Sequence, residues 1–132
     1  MDLLGGVHQF MEIGGQLAPE KSGENTDQIL RIELLKEETM EYLKGIRDRN
    51  LVEEVDGLVD ILVIAAGSLI SRVGLRAART CLNEVLYSNL SKFEEDENGV
   101  PRAILREDGK ILKGKDYWAP QIAEVLKAEG LL

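Results

Sequence analysis

The chain has 132 residues, of which 44% are hydrophobic, and it carries 24 acidic against 16 basic residues for a formal net charge of −8. That length suits a single domain with a real core, and the hydrophobic share excludes global disorder. The acidic excess disfavours nucleic acid as a partner, because no broad cationic face exists to displace counterions.

Residues 4–15 read as a short helix with Val7, Phe10, Met11 and Ile13 turned inward. The stretch "GGQLAPEKSGEN" is a loop by its Gly, Pro and Asn content. Asn25 or Thr26 is suited to cap the next helix, with Asp27 in its first turn. That helix runs to about Ile46, with Ile29, Ile32, Leu35, Met40 and Leu43 as core candidates, and "RDRN" breaks it. A third helix spans Leu51 to about Arg72 and ends at Gly74. A fourth covers roughly residues 75–92, with Ala78, Cys81, Leu82, Val85 and Leu86 on its inner face. Residues 94–116 are polar and turn-rich, with a small hairpin expected about Asp108-Gly109. Pro120 fits the first turn of a last helix, 120–129.

The fold class implied is all-α: a core of four helices in antiparallel pairs, followed by a C-terminal loop or small hairpin and a short last helix. Neither a domain linker nor an internal repeat is visible, so residues 1–132 read as one domain. The third helix is apolar on more than one face beyond Asp60, which predicts a helix-mediated homo-oligomer. The longest apolar run, Ile61 to Ile70, is half of what a membrane span needs, about twenty residues. The N-terminus has no basic start followed by an apolar run, and the single cysteine, Cys81, fits a core thiol in a reducing compartment. A cytoplasmic chain with no membrane partner is the expectation.

The acidity is uneven. Residues 1–60 hold 14 Asp/Glu and 6 Lys/Arg, whereas residues 61–132 hold 10 of each. "ELLKEETMEYL" contributes Glu33, Glu37, Glu38 and Glu41, and "LVEEVDGLVDILVIAAG" contributes Glu53, Glu54, Asp56 and Asp60. Residues three and four apart share a helix face, so Glu38 and Glu41 are neighbours, and Glu53, Asp56 and Asp60 line the next helix. Glu33 and Glu54 read as members of a solvated face. If the helices pack antiparallel, the two acidic faces meet. Carboxylates about 6 Å apart, in an effective dielectric near 20, repel by roughly 3 kcal/mol per pair. Several such pairs demand a cation between them. An all-oxygen set without a Cys or His cluster suits Mg²⁺ or Mn²⁺ rather than zinc. His8 stands in the wrong segment for this cluster.

"EETME" followed by "EEVDGLVD" resembles the signature of the all-α nucleoside triphosphate pyrophosphohydrolases, the MazG-like superfamily that includes phosphoribosyl-ATP pyrophosphohydrolase-like enzymes. "LYSNLSKFEEDENGVPRAILREDGKILKGKDYWAP" is similar to the tail of the latter, and the likeness spans about residues 7 to 127. The resemblance implies Mg²⁺-dependent (or Mn²⁺-dependent) hydrolysis of a (deoxy)nucleoside triphosphate to the monophosphate and pyrophosphate, by a dimer or dimer of dimers. Phosphoribosyl-ATP cleavage and non-catalytic nucleotide or metal binding by a helical dimer are the alternatives. It implies Glu37 as general base and Glu38, Glu41, Asp56 and Asp60 as metal ligands, with Glu53 in reserve. In the tail it implies Asn89, Lys92, Lys113 and Tyr117 at the phosphates, although Tyr117-Trp118 also reads as a packing anchor for the last helix. The chain departs from the pattern at Gly57, three residues before Asp60, where a glutamate is implied. Asp56 or the Glu53/Asp56 pair is then left to supply the missing ligand.

Overall fold

A computed structural model describes residues 1–17 and 25–132, with side chains omitted at 25–27. The side chains of Asn25, Thr26 and Asp27, on which the expected cap and first-turn charge rest, and most of the preceding loop lie outside what it describes. Mostly helical, the chain orders its elements as α1 (Leu3–Ile13), α2 (Asn25–Arg47), α3 (Leu51–Leu90), a two-stranded β1 (Glu94–Glu95) and β2 (Pro101–Arg102), and α4 (Ile122–Ala128). Two compact units divide it, Met1–Ala78 and Arg79–Leu132.

In the first unit, the Asp2 carboxylate accepts from the Gly5 amide at 2.9 Å and caps α1. Leu4, Val7 and Met11, spaced three and four apart, bury one stripe of α1 against Ala66, Ile70 and Ala78. Phe10 and Ile13, expected inside, lie on the other faces of α1 and are exposed. The same correction holds for α2, where Ile29, Ile32, Leu35, Met40 and Leu43 are exposed. Apolar residues are scattered around α2 rather than gathered in one stripe, so a single packed face cannot take them all.

The connection from α2 to α3 is three residues long, and its chemistry explains how. Arg49 takes the left-handed conformation (φ 52°), and the Asn50 amide reaches back to the Gly45 carbonyl at 2.9 Å. The Asn50 side chain then accepts from the Val52 and Glu53 amides at 3.1 and 3.3 Å, starting α3. So short a link turns α3 back along α2, making a helical hairpin.

Within the 40-residue run of α3, Gly74 leaves helical geometry (φ 81°, ψ 165°), at the position where the sequence ends one helix and starts another. By length and composition alone, α3 is apolar enough to cross a membrane. Leu51, Val52, Val55, Val59 and Leu62 are exposed along it.

In the second unit Cys81 is buried, as expected, whereas Leu82, Val85 and Leu86 are exposed. The Asp108-Gly109 hairpin is present: Leu105 pairs with Ile111, and the Gly109 amide closes the turn on the Arg106 carbonyl at 2.9 Å with φ 89°. An unforeseen second hairpin pairs Glu94 with Arg102 and Glu95 with Pro101. The last helix starts later than expected. Pro120 precedes it, and the Gln121 amide donates to the Glu84 carboxylate at 3.0 Å.

Candidate functional site

Three close approaches fix how α2 meets α3. Gly45 faces the backbone of Glu53 and Glu54, Gly57 faces Tyr42, and Arg31 lies over Gly67. Positions fall along one helix as they rise along the other, so the pair is antiparallel. The acidic faces of the two helices are therefore at the same level.

Glu38 sits at the centre of this arrangement. One of its oxygens, Oε2, is enclosed and has no hydrogen-bond partner among the described residues. Its pKa is pushed up to about 7, first by burial, then by the charges of Glu41 and Asp60, and further by a hydrogen bond with the Glu41 side chain and the charge of Glu37. Carboxylates from two helices thus press on one another. Glu37 itself is exposed to solvent.

A step towards the hairpin turn, Glu41, Lys44, Glu53 and Asp56 line a polar pocket of about 330 Å³. Glu41 belongs to both groups. Lys44, which the sequence reading passed over, holds its Nζ 3.8 Å from Glu53 and 3.8 Å from Asp48. Lys44 therefore competes for Glu53, whereas Asp56 lines the pocket beside Glu41 and, among the described residues, pairs with no cation. Both partners of the Lys44–Glu53 pair are about half exposed, so the pair is weakly held.

Gly57 now has a physical reason. A Cβ there would lie 3.0 Å from the Tyr42 amide nitrogen and Cα, closer than ordinary van der Waals contact. Any larger side chain at 57 would push the helices apart. The glutamate implied by the resemblance does not fit the observed spacing.

Does the donor set suit a divalent cation? Among the described residues no three His, Cys, Asp or Glu side chains stand close enough together to hold a metal ion. The enclosed, unpartnered Oε2 of Glu38 is an acceptor that a hard cation would satisfy, and the neighbouring donors are all carboxylate oxygens. In donor chemistry alone, an all-carboxylate set is of the kind that suits Mg²⁺ or Mn²⁺.

The tail residues form their own cluster in the second unit. Asn89 stands in the last turn of α3, and Lys92 lies beyond the helix, not on it as expected, with its amide on the Asn89 carbonyl at 3.2 Å. The Lys92 carbonyl accepts from the Gly114 amide at 3.0 Å, which ties "SNLSK" to "LKG". A Cβ at Gly114 would fall 2.5 Å from that carbonyl oxygen, so only glycine fits. Lys113 places its ammonium 4.8 Å from the centre of the Tyr117 ring, a cation–π contact. Ser88 and Ser91 clasp the Trp118 backbone: Ser88 Oγ donates to its carbonyl at 2.8 Å, and its amide donates to Ser91 Oγ at 3.1 Å. These serines hold the tail together. No family model matches the chain, and no curated protein matches it in sequence.

Proposed function

We propose that this chain is a nucleoside triphosphate pyrophosphohydrolase of the MazG-like kind, releasing pyrophosphate and a (deoxy)nucleoside monophosphate. The observation that carries the reading is the Glu38 carboxylate: an enclosed oxygen without a partner among the described residues, flanked by the charges of Glu41 and Asp60 from two helices. A carboxylate so placed is costly unless a ligand uses it.

Glu38, Glu41, Asp56 and Asp60 would hold Mg²⁺ or Mn²⁺. Asp56 is preferred over Glu53 for the fourth place, since Lys44 already engages Glu53. When bound, the metal supplies Lewis-acid polarisation of the α-phosphoryl group and neutralises its charge. Glu37, exposed and one residue from Glu38, takes the proton from the attacking water onto a carboxylate oxygen. Lys44 supplies a positive charge at the pocket wall and offsets part of the repulsion that a polyphosphate would meet.

The same reading makes the chain a cytoplasmic homodimer or dimer of dimers. The exposed apolar residues of α2 and α3 support the oligomer alone, because isolated chains rarely leave so much apolar surface open. The role of Asn89, Lys92, Lys113 and Tyr117 at the phosphates rests on the sequence resemblance.

A panel of nucleotides with Mg²⁺, scored for monophosphate and pyrophosphate, tests the activity. Glu38→Gln should lower pyrophosphate release by roughly 10²-fold or more, the scale on which one preorganised charged group acts, with helical circular dichroism unchanged. Undiminished turnover in that variant would contradict the assignment.

A further inference from the structure

We propose that Gly45 and Gly57 are positioning residues for the cation site. By letting α2 and α3 touch backbone to backbone, they bring carboxylates from both helices within reach of one ion. The proposal rests on the metal-dependent reading above.

The two contacts bracket the acidic pocket. Lys44 and Glu53 stand beside the first in sequence and Glu41 and Asp56 beside the second, and these four residues line it. A Cβ at Gly45 would lie 2.7 Å from the Glu54 amide nitrogen and 3.0 Å from the Glu53 carbonyl carbon. One at Gly57 would lie 3.0 Å from the Tyr42 amide nitrogen and Cα. All these atoms are backbone of the facing helix, so none can swing aside as a side-chain tip would. To reach ordinary carbon contact distances, alanine at either place must open the helices by roughly 0.5–1 Å.

That displacement matters to a cation more than to a fold. Mg²⁺ binds oxygens at about 2.0–2.1 Å in near-ideal octahedral geometry, with little tolerance for a wider cage. Glycine inside a helix is unfavourable compared with alanine. Two of them, both buried and both at the acidic level of one helix pair, are explained by a close approach. At position 57 the chain carries proximity in place of the glutamate that its resemblance implies.

The test is Mn²⁺ titration of the full chain by electron paramagnetic resonance, on wild type, Gly45→Ala, Gly57→Ala and Gly57→Ala combined with Asp56→Glu. Each alanine variant should bind Mn²⁺ about tenfold or more weakly, the scale on which supporting positions tune metal affinity. Helical circular dichroism should persist, since alanine favours helix. The longer Asp56→Glu side chain adds about 1.5 Å of reach and should recover part of the loss. Unchanged affinity in both alanine variants would overturn the proposal. So would a loss that Asp56→Glu does not relieve, or one that appears in both variants only with loss of helical signal. A wild type that binds no Mn²⁺ would instead overturn the functional reading beneath it.

Discussion

The Asp96 carboxylate, in the tail, accepts from the Asn98 and Val100 amides at 2.8 and 2.9 Å and from Arg102 at 3.1 Å. Those partners, the Val100 amide first, hold it below the usual carboxylate range. The Glu38 carboxylate, between α2 and α3, has an enclosed oxygen with no described partner and is pushed up to about 7. Both belong to acidic stretches that look alike in sequence. One is fully used by its own fold; the other meets a second carboxylate, Glu41, and keeps one oxygen without a partner among the described residues. The tail spends its polar groups on structure: Ser88 and Ser91 on Trp118, Glu94 on the Lys115 amide, Asp108 on Arg106. The helical hairpin leaves one enclosed carboxylate oxygen without a partner among the described residues, an exception that calls for an explanation.

The largest expected break in this comparison is the loss of turnover in Glu38→Gln, with no counterpart in the tail: Asp96→Asn should leave pyrophosphate release within a fewfold of wild type. Next is Gly114→Ala. Its Cβ would collide with the Lys92 carbonyl. Forcing an atom into so tight a place costs about 1–3 kcal/mol. Hydrogen exchange should quicken in the amides of residues 92–118, while α2 keeps its protection.

A third prediction concerns pH, and the two carboxylates give opposite signs. A raised acid binds more protons folded than unfolded between its two pKa values. With a chelator present, Glu38 should therefore make the first unit less stable as pH rises from about 4.5 to about 7. Mg²⁺ should flatten that slope. Asp96, being depressed, stabilises the tail above its ordinary 3.8 and loses that contribution only as pH falls through its lower folded value. Thermal melts across pH 3–8, with and without Mg²⁺, separate these two trends. Smallest is Lys113→Ala. The loss of an exposed cation–π contact should cost under about 1 kcal/mol of stability. If Lys113 meets the phosphates, the same change raises KM while kcat holds.

The sequence carried a good part of this arrangement. Gly74 announced the break in α3, Asp108-Gly109 announced its hairpin, and the three- and four-residue spacing of Glu38, Glu41, Asp56 and Asp60 put acids on facing sides. Local rules sufficed for each of these. Other features have no local signature. The Ser88–Trp118 bond spans 30 residues, and nothing in the sequence beside Ser88 marks its partner. Gly45 and Gly57 look like weak points of helices until the facing backbone is known. The exposed Phe10, Ile13 and α2 residues show that apolar character marks what can be buried, not what one chain buries. Lys44 stayed hidden because its partner Glu53 belongs to the next helix.

The most direct test of the whole account is anomalous diffraction from crystals grown with Mn²⁺ and a non-hydrolysable nucleoside triphosphate analogue. The account predicts a manganese peak between α2 and α3, within about 2.0–2.2 Å of oxygens from Glu38, Glu41 and Asp60. A bound analogue whose manganese lies elsewhere, with those side chains turned separately into solvent, would contradict it.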